Sequence, residues 1–131
     1  IIGCMDRARV EVTVHRAMDV VADRLTALDE LIDLGVTRVL TSGGADTCNE
    51  GLDEIGRMVE HAAGRIQIMA GGGITVDDIP AIAAVGVDAV HLSARTVVAV
   101  SGGPGGGSDG YDVTDADVAQ DAASALRAVS A

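Results

Sequence analysis

Four short runs rich in aliphatic and β-branched residues, at 10–14 (VEVTV), 36–41 (VTRVLT), 65–70 (RIQIMA) and 87–92 (VDAVHL), alternate with segments of helical periodicity. A strand followed by a helix and then another strand points to parallel pairing, because the helix carries the chain back to the start of the next strand. Two architectures satisfy that pattern, an open doubly wound sheet and a barrel. A GxGxxG fingerprint after the first run is missing.

The helical segments carry their own punctuation. Leu25, Leu28, Leu31 and Ile32 make one apolar stripe, with Asp23 placed to cap it and Gly35 to stop it. Leu52, Ile55, Val59 and Ala62 make a second, ended by Gly64. A third helix is expected from near Thr75 or Asp78, with Pro80 in its first turn and Ile79, Ile82 and Ala83 facing the core. The last is expected to start at Thr114 with a capping box to Asp117 and to bury Val118, Ala122, Ala125, Leu126 and Val129. Residues 34–39 (LGVTRV) ending in Ser42 echo residues 85–90 (VGVDAV) ending in Ser93, each a helix stop feeding a strand. Residues 102–110 (GGPGGGSDG) read as a flexible surface loop.

With 131 residues there is room for one domain, and 48% hydrophobic residues suffice for a core. That core holds no Phe or Trp, and Tyr111 is the only aromatic residue, so no platform exists for stacking bases or sugars. A net charge of -11 repels nucleic-acid backbones and anionic membranes. All nine basic residues are arginines, which excludes Schiff-base chemistry from this chain. Cys4 and Cys48 lack CxxC spacing and no apolar run approaches the ~20 residues of a membrane span, so a reducing cytosol is the expected setting. The chain opens on Ile1-Ile2-Gly3 and reads as a piece of a longer protein.

Strand alternation divides the side chains. If Val12, Val14, Val39, Thr41, Ile66, Ile68, Val90 and Leu92 meet the helices, the opposite face shows His15, Ser42, Gln67, Met69, Gly71, His91 and Ser93. Polar residues gathered at the C-terminal ends of parallel strands are the usual makings of a barrel site. His15, Arg16 and Asp19 combine an imidazole, a cation and a carboxylate, enough to bind an anion or move a proton, or to form a salt-bridged structural cluster. Gly71, Gly72 and Gly73, together with Ser42, Ser93 and Arg95, are candidates to hold an anion, although tight turns require glycine without any ligand. For copper(I), the thiol, thioether and imidazole inventory is Cys4, Met5, Cys48, Met69, His15 and His91, in which no pair has metal-ligand spacing.

Residues 12–19 (VTVHRAMD), 39–43 (VLTSG), 68–74 (IMAGGGI) and 90–94 (VHLSA) resemble, in order, four motifs of the CutC family. The resemblance covers residues 10 to 95 and implies an α/β fold of the (β/α)8 TIM-barrel type, this chain supplying about four βα units as strands 5 to 8. It further implies a cytoplasmic, homo-oligomeric protein of copper homeostasis or copper binding, without an assigned catalytic reaction. The family's cysteine-bearing first strands would precede Ile1, and the glycine-rich 102–110 segment replaces a basic stretch, while Tyr111 and Thr114-Asp115 remain family-like. Two alternatives stand beside that reading. One is a barrel enzyme binding a small phosphorylated or anionic compound, with His15 as acid or base and Arg16, Gly72, Gly73 and Ser93 holding the anion. The other is a non-catalytic oligomeric scaffold. In each, the four strands pair with a missing N-terminal half-barrel or a second copy.

Overall fold

A computed structural model describes residues 10–99 and 110–129. Its elements in chain order are β1 (Thr13–Val14), α1 (Arg24–Asp33), β2 (Arg38–Thr41), α2 (Leu52–Ala62), β3 (Gln67–Gly71), α3 (Ile79–Ala84), β4 (Ala89–His91), β5 (Arg95–Ala99), β6 (Gly110–Thr114) and α4 (Ala116–Val129). The first four strands form one parallel sheet in the order β1-β2-β3-β4. Strand order follows chain order and no switch point, where a doubly wound sheet changes direction, falls within these four strands.

Register explains which face is buried. Val39 lies opposite Ile68 and Thr41 opposite Ala70, and all four are at most 1% exposed. Val39, Ile68 and Ala70 pack with Leu28, Ile55, Met58, Ile79 and Ile82 into one core, so the helices cover one face of the sheet. Thr13, Gln67 and His91 of the other face are exposed.

Helix ends follow the local chemistry. Asp23 accepts from the Thr26 N–H at 3.1 Å and starts α1, and Gly35 beyond its end has φ 74. A capping box between Thr75 and Asp78 opens a short 3-10 turn over Val76–Asp78, and α3 follows with Pro80 in its first turn. At α4 the sequence-based cap is corrected: Thr114 ends β6, paired with Arg95, and Asp115 accepts from the N–H groups of Asp117 and Val118 at 3.0 and 3.2 Å. Thr114 is committed to the ladder, which leaves Asp115 as the first residue able to cap.

The antiparallel pair β5–β6 is a second departure from the sequence reading. Gly110, assigned to the glycine-rich loop, instead opens β6, and residues 102–109 lie outside the described residues.

Ile55→Ala is expected to remove ~2–5 kcal/mol of stability, because the side chain is 0% exposed and its loss leaves a cavity. Urea unfolding of the full-length protein measures it: the midpoint falls with an unchanged slope, and a shift below about 1 kcal/mol would contradict this core.

Candidate functional site

Beyond β1 the chain tightens into a 3-10 turn over Arg16–Val20, pinned to the core by Met18. The turn brings Arg16 and Asp19 together, with Arg16 Nε donating to Asp19 Oδ2 at 2.7 Å. Asp19 has a side chain only 8% exposed, and it gathers the end of β2 around itself. Its Oδ1 accepts from Thr41 Oγ1 at 2.6 Å, from the Ser42 N–H at 3.0 Å and from the Gly44 N–H at 3.2 Å. The single Ser42 hydroxyl proton goes either to Asp19 Oδ2 at 3.1 Å or to the Ala45 carbonyl at 2.6 Å. Burial pushes the Asp19 carboxyl up, and hydrogen bonds from Thr41, Arg16 and Ser42 outweigh it, so the group titrates below the ordinary carboxylate range.

Those bonds orient Arg16. Its Nη2 donates to Ser42 Oγ at 2.9 Å and reaches the Ala45 carbonyl at 3.5 Å, while Nη1 donates to none of the described residues. The guanidinium lies against Gly72, where a Cβ would meet Nη1 at 3.3 Å and the Ser42 Cβ at 3.2 Å. Gly72 also has φ 121, a conformation that side-chain-bearing residues rarely adopt. The Cys48 N–H donates to the Gly72 carbonyl at 2.8 Å and ties the β2–α2 loop to this turn.

At the C-terminal ends of the strands opens a cleft of about 540 Å3. His15, Arg16, the three glycines Gly71, Gly72 and Gly73, His91, Ser93 and Arg95 line it, over an apolar wall of Leu40, Ile74 and Leu92. No carboxylate is among the described residues that line it, although the chain carries 20 acidic residues. Arg95 is steered by Asp112 of β6, at 2.8 Å from its Nη1.

The cleft unites eight of the residues singled out from the sequence. Asp19 and Ser42 stand behind Arg16 and do not line it, and Ser42 is fully buried. Sequence reasoning missed Thr41, which meets Asp19 from the helix-facing side of β2, and the apolar wall. The signal for Leu40 was its place between Val39 and Thr41, which turns it onto the cleft face.

The copper candidates do not come together. Cys48 is 1% exposed within the core, and burial, then Asp78 and Asp19, push its thiol up, away from the thiolate that binds copper(I). Met69 is half-buried and lines no part of the cleft. Among the described residues there is no group of three or more His, Cys, Asp or Glu side chains spaced to hold a metal ion. Cys4 and Met5 lie outside them. Copper therefore does not fit the donor set described.

Asp19 sets a pH dependence. Its lowered carboxyl contributes stability that is present above its unfolded value and is lost as pH falls through the folded one. Asp19→Asn is expected to cost ~1–3 kcal/mol at pH 7, and the gap from the parent should narrow below about pH 4. Urea unfolding at stepped pH checks this; a gap that stays constant to pH 2 would contradict it.

Comparison with known proteins places this geometry. The CutC family model matches residues 4–96, which include every cleft residue. A CutC family protein of Treponema denticola is 57% identical over 81 residues, covering 61% of this chain and 33% of that protein. One from Xylella fastidiosa is 42% identical over 118 residues, covering 81% of this chain and 42% of that protein. The crystal structure of a Streptococcus agalactiae CutC protein, named for copper homeostasis, matches with a TM-score of 0.60 and 34% identity over 64% of this chain and 42% of that chain. The chain thus spans between a third and about two-fifths of the length of these relatives. The family match covers the parallel sheet and more than half of the chain, and the chain belongs to the CutC family.

Proposed function

We propose that this chain is the strand 5 to 8 half of a CutC-type (β/α)8 barrel, and that its cleft binds a small anionic ligand in a cytoplasmic protein of copper homeostasis. One observation carries the anion reading: two arginines and two histidines, with no carboxylate among the described residues, line the cleft in a chain of net charge -11. Such a site needs a preset cation, and Arg16 is held at Nε and Nη2 with Nη1 left over. The copper role comes from the Streptococcus agalactiae relative's name. Thiolate ligands for it would belong to residues outside those described, because Cys48 is enclosed in the core.

A second reading, an enzyme acting on that anion, is favoured by His15, whose exposed ring lines the cleft beside Arg16. A non-catalytic scaffold would instead keep full function after loss of His15 and Arg16. On either reading the sheet needs a partner. The outer edges of β1 and β4 pair with no strand among the described residues, and no described helix is long and apolar enough to cross a membrane. The missing N-terminal half, or a second copy, would close those edges.

Three outcomes are expected. Calorimetric titration of the full-length protein with inorganic phosphate should show binding that weakens about tenfold in Arg16→Lys, which keeps the charge but loses the fork; equal binding would contradict the role of Arg16. Copper(I) titration should give the same stoichiometry in Cys48→Ser and its parent, and a lost equivalent would contradict the assignment of Cys48 to the core. The isolated 131-residue chain should self-associate in light scattering, and a stable monomer would contradict the half-barrel.

A further inference from the structure

We infer that the ligand of this cleft carries two anionic groups, one held by Arg16 at the Gly72-Gly73 turn and the other by Arg95, joined by a short aliphatic link. This rests on the anion-binding reading above and deepens it. The two arginines arrive from separate elements, Arg16 from the turn after β1 and Arg95 from the first position of β5, and both line the same cleft. Each is oriented by a carboxylate that does not itself line the cleft, Asp19 at 2.7 Å and Asp112 at 2.8 Å. Each also keeps donors to spare: Nη1 of Arg16, and Nε and Nη2 of Arg95, donate to none of the described residues. A guanidinium with part of its fork preset and the rest open is suited to a carboxylate or phosphate.

The two guanidiniums have separate supports, Arg16 against Gly72 and Arg95 on Asp112 of β6. The Arg95–Asp112 pair explains little by itself, since both side chains are about half exposed or more and such pairs contribute little to stability. What lies beside the cations sets the rest of the ligand. Leu40, Ile74 and Leu92 offer an apolar wall, and no Phe, Tyr or Trp is among the described residues that line the cleft. A phosphorylated carboxylic acid or a short dicarboxylate meets these requirements.

The test is calorimetric titration of the full-length protein and of its Arg95→Ala variant with inorganic phosphate and with 2-phosphoglycolate. Arg95 is exposed, so the variant should keep the fold. The parent is expected to bind phosphoglycolate about tenfold more tightly than phosphate, and the variant should lose that advantage. Phosphate binding with no preference for phosphoglycolate, or a preference that survives in Arg95→Ala, would overturn this inference and leave the anion reading standing. Binding of neither compound would overturn both.

Discussion

The Asp19 carboxylate is the contact on which the rest of the site depends. β1 contributes only two residues to the ladder, so backbone pairing alone ties the first strand weakly to the second. Asp19 adds a side-chain tie, drawing Thr41, Ser42 and Gly44 from the end of β2 and Arg16 from its own turn. A carboxylate this enclosed is stable only with such donors, and the donors in turn would be left unpaired without it. Removing it would therefore free the cation as well as loosen the strand end.

Positioning of Arg16 then fixes the character of the cleft. One side of the guanidinium is spoken for by Asp19 and Ser42, and its remaining amino group lies on the backbone of Gly72. Any side chain at that position would press on both Arg16 and Ser42, so the glycine serves close approach as well as its φ of 121. Arg16 and Arg95 both line the cleft, its wall is aliphatic, and no acidic side chain among the described residues lines it. That separation of charge within an acidic chain is what supports the proposed anion site.

Much of this was legible in the residues. Period-two alternation placed Val39, Thr41 and Ile68 against the helices and Gln67, His91 and Ser93 on the other face, and Asp23, Gly35 and Gly64 marked helix ends by local chemistry alone. The cleft residues His15, Arg16, Gly72, Ser93 and Arg95 follow from their places at or just beyond strand C-termini, which gather along one edge of any parallel sheet. What stayed hidden depends on long-range contacts. Asp19 looked like a third polar group of the site, and only tertiary packing shows it receiving Thr41 and Ser42 from 22 and 23 residues away. The β5–β6 pair was obscured because its strands are short and separated by a glycine-rich stretch, which also displaced the α4 cap from Thr114 to Asp115.

A cleft that binds anions through a preset Arg16 is the center of this account. A crystal structure of the full-length protein grown with selenate, whose selenium is located by its anomalous scattering, tests it most directly. The account predicts a selenium peak within hydrogen-bonding reach of Arg16 Nη1 at the Gly72-Gly73 turn, with Arg16 still bonded to Asp19. A cleft without selenate while other surface sites are occupied, or Arg16 turned away from Asp19, would contradict it.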